Sequence, residues 1–208
     1  MKLVSQQFLS LDGVYQGPGS PDEDRTGGFD RGGWLVPFID DAFERRVEGW
    51  MDNADAFLFG RRTYEDFAKV WPTITNPADR NAARLNQKPK YVAANSAVDP
   101  AWQPATMLSG DIAARVAEIK QLPGREMQIH GSGALAASML RAGLIDELRL
   151  AVAPVVVGAG RKLLQETDES LALELIDETR TPKGLLIQRL RYVGPSTAGT
   201  YHRPRTEP

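Results

Sequence analysis

The chain has 208 residues, of which 42% are hydrophobic and 25% charged, a composition typical of one globular domain. Its formal charge of −2 provides no electrostatic basis for nucleic acid or an anionic membrane as the main partner. The absence of cysteine excludes disulfides, thiolate nucleophiles and cysteine-ligated metal sites.

The N-terminal stretch MKLVSQQFLSLDG becomes polar too soon for a signal peptide, and no apolar run approaches membrane-spanning length. We therefore expect a cytoplasmic protein whose partner is a small-molecule substrate. The chain has two histidines, His130 and His202, far apart in sequence. Because they cannot be assumed to share a site, we expect no histidine-based metal centre.

The first half of the chain alternates predicted strands and helices. A strand in KLVSQQFLSLDGV ends at an Asp-Gly turn, and the Gly- and Pro-rich segment 16–33 is typical of a lid or a disordered loop. Apolar spacing predicts a helix over 37–51, with Asp40 or Asp41 as its N-cap. ADAFLFG then predicts a buried strand, RRTYEDFAKVW a helix, and residues 72–81 a loop.

The second half continues the alternation and then changes character. We predict strands in PKYVAANS, TMLSG, EMQIHG and DELRLAVAPVVVG, the last broken at Pro154, and helices in DIAARVAEIKQL and ALAASMLRAGL. LALELIDETRTPKGLLIQRLRYV predicts a hairpin with its turn at 182–184. Together these elements predict a three-layer α/β/α domain over 1–194, with a central mixed, mostly parallel sheet, a C-terminal antiparallel hairpin and a flexible tail over 195–208.

Two glycines one residue apart lie where a strand meets a helix, in His130-Gly131-Ser132-Gly133. Glycines at such a junction indicate a tight turn, a phosphate cradle at the helix N-terminus, or both. The string also fits G-x-G-x-x-A through Ala136. A Rossmann fold is nevertheless not predicted, because the motif lies past mid-chain and the acidic residue expected about 20 residues later, after the next strand, is missing.

A second strand–helix junction has the same character, and it carries positive charge. Gly60 is followed by Arg61, Arg62 and Thr63, whose guanidinium and hydroxyl groups suit a phosphate ester. The alternative is a solvated basic turn paired with acidic residues on the same helix. Two anion-type turns in one chain are what a dinucleotide with an additional 2′-phosphate would require.

Other candidates have both a functional and a structural interpretation. His130 could act as an acid or base, or serve as a packing and hydrogen-bonding residue at the end of its strand. The aromatic residues near the predicted pocket could stack on a flat substrate or belong to the core. They are Trp34, Phe38 and Trp71.

Four stretches together resemble the dihydrofolate-reductase-like superfamily: LSLDGV, FGRRTYEDF, YVAANS and IHGSGALAASML with the following LIDELRLAVAPVVVGAG. They are most similar to the C-terminal reductase domain of the bacterial bifunctional riboflavin-biosynthesis deaminase–reductase. The resemblance extends from about residue 2 to about residue 193. It implies a central mixed sheet flanked by helices, with NADPH bound across the strand ends, and a homodimer formed through the sheet edge and C-terminal hairpin.

The resemblance also implies roles for individual residues. The cofactor's phosphates would contact Gly60, Arg61, Arg62 and Thr63, with Asn95 and Ser96 beside the 2′-phosphate. His130, Gly131, Ser132, Gly133, Ala134 and Leu135 would surround the pyrophosphate. Leu11, Asp12 and Gly13 would approach the nicotinamide, with segment 16–33 as a mobile cover.

True dihydrofolate reductases have one acidic residue near the start of the helix after the lid, and here that region offers Asp40, Asp41 and Glu44. Helix capping is the alternative for the two aspartates. We expect an NADPH-dependent reductase that transfers hydride to a C=N or C=O group of a small, flat, heterocyclic substrate. A dihydrofolate or pterin reductase and a non-catalytic NADPH-binding module are the alternatives.

Overall fold

The computed structural model describes residues 1–96, 98–164 and 170–201. Its strands are β1 Lys2–Ser10, β2 Ala54–Gly60, β3 Lys90–Ala93, β4 Ala105–Leu108, β5 Glu126–His130, β6 Glu147–Ala153, β7 Leu171–Arg180 and β8 Leu186–Pro195. Its helices are α1 Asp41–Met51, α2 Arg61–Val70, α3 Arg80–Gln87, α4 Ile112–Lys120 and α5 Gly133–Arg141.

All eight strands form one sheet in the order β4-β3-β2-β5-β1-β6-β8-β7. The first six are parallel to one another, and β8 and β7 complete the sheet as an antiparallel pair. This confirms the predicted mixed, mostly parallel sheet with a C-terminal hairpin. Because β2, β5 and β1 are neighbours, the turns that follow Gly60 and His130 emerge side by side at the carboxyl edge of the sheet, where α/β proteins bind ligands.

Helices cover both faces of the sheet, as predicted. On one face, α4 and α5 pack against apolar strand residues such as Leu58 and Ile129. On the other face, α1 contributes Phe43 and Trp50 to one cluster, and α2 and α3 pack Tyr64 and Leu85 against Phe57 and Phe59 in a second. The two apolar faces of the strands thus account for the three-layer architecture.

The main differences from the prediction are in the helices. The helix predicted over 37–51 begins at Asp41, because Asp40 has an extended backbone and its carboxylate accepts a hydrogen bond from the Phe43 N–H at 2.9 Å. Helix α3 was not predicted. It spans only eight residues and buries only Ala82 and Leu85, so its apolar face is too short to stand out in the sequence, although Asp79 caps it.

At the C-terminus, β8 extends to Pro195, and residues 202–208, including His202, lie outside the described residues. The flexible tail over 195–208 therefore stays a prediction. Within the described part of the chain, none of the helices combines the length and the apolar character needed to cross a membrane.

Candidate active-site cleft

A cleft of about 940 Å³ opens at the carboxyl ends of β1, β2 and β5. One wall is the face of α1 that carries Phe43, Glu44 and Val47, and the opposite rim consists of the turns that begin α2 and α5. The start of the 16–33 loop closes one end together with Arg161. The cleft is large enough for a dinucleotide or a drug-sized molecule.

The two glycine-containing turns are joined directly across the cleft rim. The backbone N–H of Gly60 donates to the Ser132 hydroxyl at 3.0 Å. Neither α2 nor α5 has a side-chain cap at its N-terminus. Uncapped N–H groups at the positive end of a helix dipole are suited to an anion, and here two such helix ends lie next to each other.

The structure explains separately why each of the two glycines of the β5–α5 turn is required. Gly131 has φ +56°, in the left-handed region, and Ser132 follows it with φ 51°. A Cβ on Gly133 would lie 2.6 Å from the ring of Tyr15, so this glycine makes room for an aromatic side chain. Close packing by Tyr15 thus explains Gly133 without a ligand.

The guanidinium groups at the rim have partners within the chain. Arg61 donates from Nε to Glu65 at 2.8 Å and from Nη1 to the Ser96 hydroxyl at 2.7 Å. Arg62 lies 3.8 Å from the Asp24 carboxylate, to which Arg161 is also paired. The pairing of Arg61 with Glu65 is the one that a solvated basic turn would make, yet both arginines border the cleft.

Polar side chains of β1 and β5 form part of the cleft floor. The amide nitrogen of Gln128 donates to the Trp50 carbonyl at 2.8 Å and to Glu126 Oε2 at 2.6 Å. Its amide oxygen lies 2.9 Å from Gln6 Nε2 and 3.0 Å from His130 Nε2. Gln6 and His130 are Cα partners on the paired strands, and both line the cleft.

His130 is a neutral imidazole at physiological pH. Desolvation lowers its pKa from 6.5 to about 3, and the positive charge of Arg149 acts in the same direction. The ring also packs edge-on against Phe57, with 5.3 Å between the ring centroids. His130 is therefore not available as a proton donor near neutral pH.

A buried ion network fixes α1 to the sheet behind the cleft. Arg149 donates to Glu126 and Glu147 at 2.7 Å each, and its Nη1 donates to the Trp50 carbonyl at 3.0 Å. Burial acts to raise the pKa of Glu147, but Arg189 and Arg149 outweigh it and hold that pKa below its ordinary value. Because Trp50 is near the end of α1, these bonds hold the helix at a set distance from the floor.

The α1 wall and the floor meet in a largely apolar slot. Phe8 of β1 packs edge-to-face with Phe43 at 5.2 Å between centroids. Val47 lies one turn further along α1 and also borders the slot. Glu44 is exposed on the cleft side of the same helix. A flat ring that packs beside the aromatic pair would have the Glu44 carboxylate on the same wall of the cleft.

The structure brings most of the predicted cofactor residues into the cleft. They are Gly60, Arg61, Arg62, Thr63, His130, Gly131, Ser132, Gly133, Ala134 and Leu135. Ser96 is exposed outside the cleft and is joined to it through Arg61; Asn95 is exposed beside it. Glu44 and Trp71 also border the cleft.

The turn predicted to approach the nicotinamide does not border the cleft. Asp12 accepts from the Ser10 hydroxyl at 2.7 Å and from the N–H groups of Val157 and Gly158, which hold the pKa of its carboxyl far below the usual range. Asp12 thereby ties β1 to the loop after β6. Leu11 is exposed and Gly13 takes φ +82°, so both serve the turn itself.

Four other candidates also lie outside the cleft lining. Desolvation acts to raise the pKa of Asp40, but hydrogen bonds from the N–H groups of Phe43 and Lys183 outweigh it and keep the carboxyl below its ordinary pKa. Asp40 is thus a helix cap rather than a proton donor. Asp41 is exposed in the first turn of α1. Trp34 is buried, and its Nε1 donates to the Gln16 carbonyl at 2.8 Å. Phe38 packs against the core.

The segment 16–33 is folded against the rest of the molecule. Phe29 is buried in the core cluster, and Gln16 Nε2 donates to the Thr26 carbonyl at 3.0 Å. Arg161 also donates to the Thr26 hydroxyl at 2.6 Å. The mobility expected of this segment stays a prediction, and its contacts make Arg161 the residue that would hold it closed.

The cleft residues that were not predicted from the sequence include Gln6, Tyr15 and Arg161. Gln6 had a detectable signal, because β1 carries Ser5, Gln6 and Gln7 in succession within a strand of a protein interior. Polar residues inside a buried strand indicate a polar network or a site. No comparable signal marks Tyr15 or Arg161, whose positions depend on how the loops fold back.

The strand order and the cleft at the carboxyl edge define a dihydrofolate-reductase-like α/β protein. The family model of the RibD C-terminal domain matches residues 1–187, and the chain belongs to this family.

Individual relatives are similar over nearly the whole chain. The uncharacterized protein YyaP of Bacillus subtilis (strain 168) is 24% identical over 189 residues, covering 90% of this chain and 92% of YyaP. A protein from Shewanella sp. PV-4 provisionally assigned to riboflavin biosynthesis superposes with a TM-score of 0.66 at 20% identity, covering 93% of this chain and 99% of that one. Acinetobacter baumannii RibD superposes with a TM-score of 0.64 at 15% identity, covering 92% of this chain and 58% of that one. These structural likenesses support the fold.

Proposed function

We propose that the protein is an NADPH-dependent reductase that transfers hydride to a C=N or C=O group of a small, flat, heterocyclic molecule. The observation that carries the proposal is the pair of uncapped helix N-termini, those of α2 and α5, that meet at one cleft rim and are joined through Gly60 and Ser132. Membership of the RibD C-terminal domain family adds to it, since other members include reductases by name, such as a deaminase/5-amino-6-(5-phosphoribosylamino)uracil reductase of Thermotoga maritima.

The donor groups of the rim fit a dinucleotide phosphate. The two helix N-termini would receive the pyrophosphate through backbone N–H groups, and Arg61 and Arg62 would provide charge for a further phosphate. Ser96 already lies within a hydrogen bond of Arg61, so its hydroxyl would be a second donor there. When bound, the cofactor would supply the hydride.

The chain's own residues would position the reacting partners. The apolar slot beside Phe8 and Phe43 would hold a flat ring against the floor, and its apolar walls would keep water from the ring. Glu44 is the one acidic residue among the three candidates that borders the cleft, so we propose it as the proton donor or as the group that holds a donor water. Arg161 and Asp24 would hold the 16–33 loop over one end.

Two alternatives are distinguished by the space beside the rim. A non-catalytic NADPH-binding module would need no open volume beyond the cofactor, whereas this cleft continues from the rim to Phe43 and Val47. That open space favours catalysis. A dihydrofolate or pterin reductase would use the same slot, and the substrate screen described next separates it from the other heterocycles.

The test is a titration of the protein with NADPH and with NADH, followed by tryptophan quenching, since Trp71 borders the cleft. Micromolar binding of NADPH with much weaker binding of NADH is expected. A screen of pterins, pyrimidines and quinones for NADPH oxidation would then identify the substrate class. Failure of both dinucleotides to bind would overturn the proposal.

We also propose that the protein forms a homodimer through its C-terminal hairpin. Strand β7 is the sheet edge, and the hairpin exposes Leu175, Ile176 and Val193. An edge strand with exposed apolar residues is a ready surface for a second chain. Light scattering after size-exclusion chromatography should give twice the chain mass, and Ile176→Lys should convert it to the monomer mass; a monomeric wild type would overturn this proposal.

A further inference from the structure

The hydrogen-bond polarity of the cleft floor can be assigned step by step from its deepest group. The carboxylate of Glu126 and the backbone carbonyl of Trp50 can only accept, so the group of Gln128 that faces them, at 2.6 and 2.8 Å, must be its NH₂. The oxygen of the Gln128 amide is therefore the atom directed at Gln6 and His130.

That assignment determines which atoms of Gln6 and His130 donate hydrogen bonds and which accept them. Because Gln128 Oε1 accepts, the atoms 2.9 and 3.0 Å from it must both donate: Nε2 of Gln6 and Nε2 of His130. A neutral imidazole carries one hydrogen, so His130 has a bare, accepting Nδ1. The remaining polar atom of the Gln6 side chain is its accepting oxygen.

The Gln6 oxygen is not satisfied within the part of the chain that the structure describes. Gln6 is 3% exposed, and its Oε1 is buried without a hydrogen-bond donor. Native proteins rarely leave such an acceptor without a partner. Rotating the amide would not help, because it would direct one oxygen at another.

Both accepting atoms belong to the same part of the cleft. Gln6 and His130 are Cα partners on adjacent strands, their side chains meet at Gln128, and both line the cleft below the α1 wall. Phe8, which packs against Phe43, lies two residues after Gln6 on β1 and therefore on the same strand face. A flat ligand on this part of the floor would lie against both side chains.

We propose that Gln6 and His130 determine substrate specificity by accepting hydrogen bonds from two neighbouring N–H donors on one edge of the ligand. This inference rests on the proposed function for placing a flat heterocycle in the slot. A ring whose edge presents carbonyl oxygens or N-methyl groups would leave the two acceptors unsatisfied, and sites of this kind reject such analogues strongly.

The test compares two probes that differ by one methyl group. In 6-aminouracil the ring N1–H and the amino group are neighbouring donors, and in 6-amino-1-methyluracil one of them is blocked. Dissociation constants of both would be measured by protein-observed NMR with the full chain, with and without NADPH. We expect the wild type to prefer 6-aminouracil by about tenfold or more, the size of one well-formed hydrogen bond.

Two variants test whether the preference for 6-aminouracil comes from Gln6 and His130 on the cleft floor. Gln6→Met keeps the length of the side chain and removes its acceptor, and His130→Phe keeps a ring and removes Nδ1. We expect the preference to fall to about threefold or less in each, as one of two bonds is lost. Gln121→Met, the same exchange at an exposed position after α4, should keep the wild-type preference.

An unchanged preference in Gln6→Met would show that the methyl group is excluded by its bulk and would overturn the inference. Equal binding of the two probes by the wild type, or no binding of 6-aminouracil at millimolar concentration, would overturn it as well. If His130→Phe does not fold, Gln6→Met alone decides. A wild type that discriminates between the probes without binding NADPH would support the floor assignment while removing the proposed cofactor.

Discussion

The two strand–helix turns at the cleft rim look alike in sequence and differ in how they are built. The β2–α2 turn has ordinary backbone geometry, with Gly60 at φ −76°, and its distinctive chemistry is the pair Arg61 and Arg62. The β5–α5 turn has no charged side chain, and its distinctive feature is left-handed backbone at Gly131 and Ser132. One turn would recognise an anion through side-chain charge, and the other through the direction of its N–H groups.

Because of this difference, the glycine has a different structural role in each turn. A Cβ on Gly60 would meet its nearest neighbour, Ser132, at an ordinary 3.7 Å, whereas a Cβ on Gly133 would overlap the Tyr15 ring. The same residue type thus tolerates replacement in one turn and is required in the other.

Replacing Arg61 and Arg62 with alanine should weaken NADPH far more than NADH, because each lost charge-assisted hydrogen bond contributes about 1.5 to 3 kcal/mol. Fluorescence titration of both dinucleotides gives the two affinities. Arg115→Ala, which removes an exposed arginine on α4, is the matched control and should change neither. Equal losses for NADPH and NADH would remove the 2′-phosphate assignment of the β2–α2 turn.

Gly133→Ala should lower the free energy of unfolding by about 1 to 3 kcal/mol, the usual cost of overpacking, because Tyr15 must move. Gly60→Ala should change it by less than about 0.5 kcal/mol. Urea denaturation of the two variants provides the comparison. Adding Tyr15→Leu to Gly133→Ala should recover part of the loss, and equal costs at both glycines would contradict the contrast.

His130, the residue before the β5–α5 turn, should make the free energy of unfolding depend on pH. The pKa of His130 is lowered from 6.5 to about 3, so the unfolded chain binds a proton that the folded chain does not as pH falls below 6.5. Stability from this residue is complete above that pH and is lost progressively down to about pH 3. By pH 5 the loss should reach about 2 kcal/mol.

His130→Gln, which keeps an N–H donor for Gln128 but does not titrate in this range, is the matched comparison. Urea denaturation of both proteins from pH 7.5 to pH 4.5 should show the wild type losing more stability than the variant. Parallel pH profiles would mean that His130 is solvated and charged in the folded protein.

Ser132 joins the two turns, and its replacement should have the smallest effect. Ser132→Ala removes the acceptor of the Gly60 N–H and should cost about 0.5 to 1.5 kcal/mol. Ser132→Gly loses the same bond but relieves a left-handed backbone that costs a non-glycine residue about 1 to 2 kcal/mol. The glycine variant should therefore be the more stable of the two in thermal denaturation, and the opposite order would mean that the backbone at Ser132 is unstrained.

Much of the fold was predictable because the apolar patterns are strong. The Val-, Leu- and Phe-rich strands and the Pro154 break gave the parallel sheet, and the turn at 182–184 gave the hairpin. Helix α3 was missed because it is only eight residues long, so its two buried residues form too short an apolar face to identify. The helix over 37–51 was predicted to begin four residues too early, although Asp40, one of its two predicted N-caps, does cap it.

The candidate site was predicted in part for the same kind of reason. Gly60 to Thr63 and His130 to Leu135 carry their chemistry in consecutive residues, and they do meet at the cleft. The family resemblance implied that the backbone of the Leu11–Gly13 turn approaches the nicotinamide. Its carboxylate instead binds the loop at 157–158, a partner about 145 residues away that no local pattern reveals.

By itself, the sequence determined the class of architecture, the family and the two turns at the carboxyl edge, because hydrophobic periodicity and local turn chemistry act between near neighbours in the chain. Tertiary structure alone decided that Tyr15 occupies the space at Gly133 and that Gln128 orients Gln6 and His130. The contacts of Tyr15 with Gly133 and of Gln6 with Gln128 depend on the distance and direction between atoms more than 100 residues apart in the chain. Such geometry exists only once the strands have paired.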